Sequence, residues 1–248
     1  MNYLKIIICL ISYNLYSQTM LNSERVLSNV DNDFVISTGI DGDFNFGNLN
    51  LIQVNISTQF GKKINKDLFR GVFNYSYNSE DKEVLSDDWT GQLRWNHFRD
   101  KNSIFAFLQG QNVKTLKLKY RYLYGGGYRF RTYSRKENYV DTSLGIFKEH
   151  EQYEEINSSL KVDNLRYSLS SFSKFHISNS ILFENTIYLQ INTRKLDDYR
   201  IYFEPRISFI KSENIEFFIT TRNRYHSTPY IDVMKNDNQS SIGIQITN

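Results

Sequence analysis

The chain has 248 residues, with 30 Lys plus Arg against 27 Asp plus Glu, and the resulting net charge of +3 gives no electrostatic footprint for nucleic acid. No run of about eighteen apolar residues exists, which excludes a transmembrane helix. Eighteen Tyr and eighteen Phe against two Pro is a strand-forming composition, and a mean hydropathy of −0.51 is what strands with one apolar and one polar face average to.

Residues 1–17 stand apart. Lys5 precedes a short apolar run, Ile6 to Ile11, and Ser17 supplies a small residue before Gln18. This pattern predicts a secretory signal peptide removed after export. Cys9, the one cysteine, falls inside it, too early and behind too bulky a residue (Ile8) to be a lipid-attachment site, so the exported chain would carry no disulfide and no cysteine metal site. Residues 18–32 are polar and aperiodic, a periplasmic lead.

From about Asp33 onward a period of two dominates, the mark of a strand with one face in an apolar medium. Phe34, Ile36, Thr38, Ile40, Phe44 and Phe46 share the first face, and Gly47-Asn48 is a tight turn. Ile52, Val54, Ile56 and Phe60 form the second. The third sets Phe69, Phe73, Tyr75 and Tyr77 against Arg70, and a charged loop is predicted over 78–87. In the fourth, Trp89, Leu93 and Trp95 oppose Gln92, Arg94 and Asn96; the fifth, 103–111, is apolar on both faces. The sixth alternates Leu116, Leu118, Tyr120, Tyr122, Tyr124 and Tyr128 with Lys117, Lys119, Arg121, Arg129 and Arg131. Its Gly125-Gly126-Gly127 marks a bend, a bulge or the close approach of another group, and with no helix following it is not a phosphate loop.

Val140, Thr142, Leu144 and Ile146 face outward in the seventh strand, followed by a second predicted charged loop from Glu149 to about Asp163. Leu165, Tyr167 and Leu169 oppose Arg166 in the eighth, and Ile187, Leu189 and Ile191 oppose Glu184 and Gln190 in the ninth. The tenth and eleventh carry the sharpest pattern. Ile201, Phe203, Ile207 and Phe209 alternate with Arg200, Glu204 and Arg206, and Phe217 and Ile219 with Glu216, Arg222 and Arg224. After a loop over 227–239, Ile242, Ile244 and Ile246 make the last strand.

About twelve strands, an even number, with connections of alternating length, predict an all-β fold: an antiparallel transmembrane up-and-down β-barrel over residues 33–248, in the outer membrane of a Gram-negative bacterium. Aromatic girdles are predicted at Tyr75, Trp89, Tyr199 and Tyr225 on the outer side and at Phe60, Trp95, Tyr128 and Phe209 on the inner. A soluble β-sandwich would also alternate, but a face this rich in arginine could not be its dry core. The predicted partners are outer-membrane lipid and lipopolysaccharide and the barrel-assembly machinery, without nucleic acid or cofactor.

The predicted lumen-facing charges are Arg94, Lys119, Arg121, Arg129, Arg131, Arg166, Glu184, Arg200, Glu204, Arg206, Arg222 and Arg224, together with Arg70, Lys117, Asp41, Asp43, Asp141 and Glu216. Basic groups outnumber acids. They either form a wet, anion-favouring pore or pair across strands and fill a closed lumen; the narrow bore of twelve strands favours pairing. A lipid-hydrolysing enzyme would need a Ser–His pair, and His97, His150, His176 and His226 have no evident serine partner by spacing, nor has Asn185 a catalytic one. Asp31, Asp33, Asp41 and Asp43 lack calcium-loop spacing, and Glu149 to Glu155 is an acidic run that is ordinarily solvated.

Several short segments, taken in order, resemble the domain of unknown function 481 family, which includes salt-stress-induced outer-membrane proteins. They are Gly47-Asn48, Gly125-Gly126-Gly127-Tyr128-Arg129, Asn223-Arg224-Tyr225 before Pro229, and Lys235-Asn236-Asp237. The resemblance implies an outer-membrane barrel with no defined activity. The sequence departs from the usual barrel ending, an aromatic residue, by closing on Ile246-Thr247-Asn248, so that either recognition by the assembly machinery rests on Ile244 and Ile246 or the true end differs.

Overall fold

A computed structural model describes residues 34–45, 51–81, 83–155, 158–212, 214–231 and 234–247. The predicted signal peptide and lead, Asp31, Asp33 and the Gly47-Asn48 turn lie outside these residues. Twelve strands are present among them: β1 (Phe34–Asn45), β2 (Leu51–Ile64), β3 (Asp67–Glu80), β4 (Glu83–Arg99), β5 (Asn102–Val113), β6 (Leu118–Arg135), β7 (Asn138–Glu155), β8 (Ser158–Ser178), β9 (Ile181–Asn192), β10 (Tyr199–Ile210), β11 (Ile215–His226) and β12 (Asn236–Thr247). Each pairs antiparallel with its sequence neighbours, and β1 with β12 closes the ring. Closure removes the sheet edges, so every strand's backbone polar groups can pair without water, the condition for crossing hydrocarbon.

The alternation places side chains as the period of two requires. Ile201 and Phe203 are each 39 % exposed on the outer wall while Arg200, beside Ile201 in the same strand, is 3 % exposed in the lumen. Phe217, Ile219, Leu93, Leu108, Leu144 and Ile242 share the outward band. This is a transmembrane barrel: its largest apolar surface lies outside and its charges inside, the reverse of a soluble sandwich.

Strand lengths set how far the wall reaches. Twelve residues at roughly 3.3 Å each, tilted about 45°, cover roughly 28 Å, enough for the hydrocarbon layer. The 18 residues of β6 and of β7 and the 21 of β8 exceed this. The surplus of β8 over β9, residues 158–165, stands at the end opposite Phe34 and Thr247, whereas β6 outruns β5 at the other end, where Arg131 to Arg135 pair with β7 alone. Tyr199 and Phe209, ten residues apart in β10, fit two girdles about 23 Å apart, whereas Trp89 and Trp95, six apart in β4, span only about 14 Å and cannot mark both rims. At the outer side Tyr75 pairs in register with Trp89, and the Tyr199 and Tyr225 rings lie 5.7 Å apart.

Three expectations are corrected. The charged loop over 78–87 is strand: β3 pairs with β4 out to Glu80 and Glu83. The acidic run after Ile146 is strand as well, with β7 and β8 in register to Glu155 and Ser158. Charge density at these positions reflects hairpins standing in water, not the absence of a strand. Thirdly, the face assignment at the start of β6 is inverted. Lys114–Leu116 form one 3-10 turn, Lys117 reverses the chain in a left-handed conformation (φ 52°), and the register slips between Leu118 and Tyr120. This bulge turns two successive residues, Lys119 and Tyr120, to the same side. Leu116 and Leu118 therefore point inward, fully buried, and Lys119 is outside, paired with Glu154 at 2.6 Å. Alternation then resumes with Arg121 in and Tyr122 out.

Candidate functional site: a charged and capped lumen

Of the twelve predicted lumen charges, all but Lys119 lie inside, though Arg131 remains partly solvated. Most occur as cross-strand pairs. Near the inner end Arg129 on β6 meets Asp141 on β7 (Nη2 to Oδ2, 2.5 Å), which also accepts from Arg131 Nε at 2.7 Å. Arg206 lies against Glu216 and 3.9 Å from Glu184, the two strands flanking β10. Arg222 Nε donates to Glu204 Oε2 at 3.0 Å, and Arg224 Nη1 to Asp237 Oδ2 at 2.7 Å. Arg70 is buried and donates to Asn96 at 2.7 Å, and Asp41 accepts from Asn55 at 3.0 Å.

A denser network crosses the bore toward the other end. Glu149 and Glu151 project from β7, which continues the inward parity of Asp141, Ser143, Gly145 and Phe147. Glu149 accepts from Arg200 Nη1 at 2.6 Å and from Arg166 Nε at 3.3 Å. Glu151 is held by Arg121 and by Arg200 Nη2 at 3.3 Å. Arg166 extends the chain to Asp198 (Nη2 to Oδ2, 2.8 Å), in the β9–β10 connection. Asp198 is saturated: His226 Nε2 lies 2.8 Å from Oδ1, Asn192 donates at 3.0 Å, and the Tyr230 hydroxyl donates at 2.6 Å. Three guanidiniums thus face three carboxylates across β6, β7, β8, β10 and one loop.

Burial alone would raise the Asp198 carboxyl, but the hydrogen bonds from His226, Tyr230 and Asn192 and the charge of Arg166 outweigh it and hold Asp198 far below the usual carboxylate range. Tyr230 is pushed up, first by burial and also by its bond to Asp198, against the opposing pull of Arg200 and Arg166. Asp198 is therefore ionised and Tyr230 neutral under all ordinary conditions.

Above this network sits an apolar cap. Leu116 of the 3-10 turn packs with Val113, Leu118 and Tyr153 of the surrounding strands and with Ile231 of the β11–β12 connection, and Val162 and Tyr230 lean on the cluster. Tyr230 joins the two layers. Its ring meets Tyr153 and its hydroxyl reaches Asp198, while Asn164 and Arg166 donate to it at 2.8 and 2.6 Å. The inverted faces of Leu116 and Leu118 are what make the cap possible.

The glycine cluster serves a close approach. A Cβ on Gly127 would stand 2.1 Å from the Leu144 carbonyl oxygen and 2.8 Å from the Phe105 ring, and one on Gly125 2.4 Å from Phe147 Cβ. With no side chains there, the Phe105 ring lies against the β6–β7 wall, and the Arg94 guanidinium stacks on it, 4.1 Å from its centroid.

The histidines are placed differently from one another. His226 is buried on Asp198; His97, outside near the inner end, has its Nδ1 2.9 Å from Asp67, which also accepts from the Trp95 indole at 2.9 Å. His150 and Asp163 pair on the protruding outer wall, and His176 lies 3.5 Å from Glu137. Asp198 and Tyr230 come from aperiodic connections and carried no sequence signal, whereas Glu149 and Glu151 had one in the unbroken parity of β7.

Among solved structures, the NanC porin matches with a TM-score of 0.50 at 9 % identity, covering 86 % of this chain and 98 % of the porin. The KdgM porin in complex with disordered oligogalacturonate (TM-score 0.47, 10 % identity, 85 % and 98 % covered) and the translocator domain of the autotransporter NalP from Neisseria meningitidis (0.47, 9 %, 86 % and 87 %) match more loosely. At such identities the likeness is one of fold. No curated protein matches the sequence. The model of DUF481, described as proteins of unknown function, matches residues 40–247, and the chain belongs to that family.

Proposed function

We propose that this protein is a closed outer-membrane barrel of a Gram-negative bacterium, exported by a cleaved signal peptide, with a structural role in the envelope and no catalytic one. The observation that carries the reading is the double seal: the cap of Val113, Leu116, Leu118, Tyr153 and Ile231 above the network of Arg121, Arg166, Arg200, Glu149, Glu151 and Asp198. A hydrated ion would have to displace an apolar plug and then separate buried ion pairs, each of which loses about 3–5 kcal/mol when one partner is removed. His97 and His226 each have the carboxylate partner that a hydrolase would need, but His226 is 2 % exposed inside the lumen, out of reach of lipid. Its partners in this reading are membrane lipid and lipopolysaccharide on the outer wall, and the assembly machinery during insertion.

Planar-bilayer recording of the purified protein tests this. The expected result is a membrane at its bare conductance with rare openings. Steady, anion-selective current would overturn the reading in favour of a small-anion diffusion channel.

A further inference from the structure

At the end of Phe34 and Thr247 the outer wall of β2 to β5 changes character within two residues. Phe60, Phe69 and Ile104 are exposed on it, and Trp95 stands in register with Phe69. The next outward positions are Lys62, Asp67, His97 and then Arg99, with Lys66 and Lys101 in the two hairpin turns. Lys62, Lys66, Arg99 and Lys101 are all exposed, and none has an ion-pair partner among the described residues. The Phe98 backbone N–H donates to the Lys66 carbonyl at 2.7 Å, which sets the β2–β3 turn against the last residues of β4 and brings Lys66 and Arg99 to one corner. Asp67 is turned to other partners: its Oδ1 accepts from the Trp95 indole at 2.9 Å and lies 2.9 Å from His97 Nδ1. Asp100 sits in the β4–β5 turn, so four cations stand with two acids. At the opposite end, by contrast, Lys114 and Lys119 are each taken by a carboxylate, Asp87 and Glu154.

We infer that this corner binds an anionic phospholipid of the phosphatidylglycerol class, its phosphate on Lys62, Lys66 and Arg99 and its acyl chains along Phe60, Phe69 and Trp95. Like charges held side by side repel, and a shared anion removes that cost. Arginine offers a phosphate two parallel donors, and lysine a point charge on a stem long enough to lie along apolar surface with its head in water. The cations border an apolar wall, so the anion that suits them is one that carries its own hydrocarbon. Headgroup charge decides which lipid. A choline or ethanolamine headgroup brings a cation beside its phosphate and leaves lysine little to gain, whereas a glycerol headgroup leaves the phosphate charge whole. Basic side chains near such a surface each contribute about 1 kcal/mol. Trp95, held by Asp67, has the amphipathic ring that settles at headgroup level. The inference needs the barrel to cross the membrane and is indifferent to whether its lumen is closed.

Trp95 reports on this corner once Trp89→Phe makes it the single tryptophan. The full chain with that change is reconstituted into phosphatidylcholine vesicles, and its fluorescence is titrated with acyl-brominated phosphatidylglycerol or with equally brominated phosphatidylcholine. The expected result is a relative affinity about fivefold higher for the glycerol lipid. Adding Lys62→Gln, Lys66→Gln and Arg99→Gln together should bring the two lipids level. Lys161→Gln with Lys195→Gln, a loss of charge at the opposite end, should leave the preference intact. Heat-modifiable gel mobility checks that each variant keeps its barrel. Equal quenching by the two lipids in the parent, a preference that survives in the folded triple variant, or its loss in the Lys161/Lys195 control would overturn the inference. If the triple variant does not fold, Lys66→Gln alone decides: it should weaken the preference, and an unchanged ratio would overturn the inference. Equal quenching leaves the closed barrel standing, and a steady bilayer current leaves the lipid site standing.

Discussion

At the residue scale, Asp198 ties the seal together. It holds Arg166, His226, Asn192 and Tyr230 at once, yet comes from a connection and not from a strand. Asp198→Asn keeps the shape and removes the charge, which leaves Arg166 buried with a weakened partner. Unfolding by guanidinium in micelles, followed by tryptophan fluorescence, should show a loss of about 3–5 kcal/mol. A change below about 1 kcal/mol would mean that the pair is merely adjacent. Tyr230 makes a pH prediction. Its pKa is raised, so its contribution is complete below the free phenol value near 10 and is lost as pH climbs through the raised value. Asp198 has a lowered pKa, so its contribution is complete above about 3.9 and is lost only in strong acid. The stability difference between wild type and Tyr230→Phe, about 1.5–3 kcal/mol for a bond to a charged acceptor, should therefore be flat from about pH 4 to pH 10. A difference that vanishes near neutrality would contradict this.

At the scale of elements, the β6–β7 wall cannot be padded. Gly127→Ala would drive its Cβ into the Leu144 carbonyl oxygen, a backbone atom that cannot step aside. The expected cost is about 3 kcal/mol or failure to assemble, seen as loss of the heat-modifiable band. Gly91→Ala, where the nearest atom would be the Phe73 ring at 3.8 Å, should change stability by less than about 0.5 kcal/mol. Equal behaviour of the two would remove close approach as the reason for the glycine cluster. The strands themselves were legible because burial in lipid on one side enforces a period of two, and Arg200, Glu204 and Arg206 against Ile201, Phe203 and Ile207 need nothing more. Strand ends were not legible. Beyond the membrane the outer face is free to carry charge, so Glu149 and Glu151 read as loop although their parity never breaks. A bulge is invisible for a different reason: it adds one residue without changing composition, so a parity carried back from Arg121 and Tyr122 puts Leu116, Leu118 and Lys119 on the wrong faces until the register is known. The pairing of Arg222 with Glu204 could be anticipated from neighbouring strands, whereas Asp198 and Tyr230 arrive from connections that have no period to read.

At the scale of the whole molecule, the barrel separates two solvents. The apolar outer band favours lipid, and the lumen holds charges that would be untenable in hydrocarbon if they were not paired. The seal and the glycine wall are consequences of that arrangement, since each depends on the arginine face being inside. The two tryptophans, Trp89 and Trp95, both stand on the outer wall and report on it without any substitution. The most direct test reconstitutes the protein into vesicles and quenches their fluorescence with lipids brominated on the acyl chains, and separately with aqueous iodide. The account predicts strong quenching by the brominated lipid and little by iodide. Quenching by iodide with no response to brominated chains would place the apolar face away from lipid and contradict the account at its root.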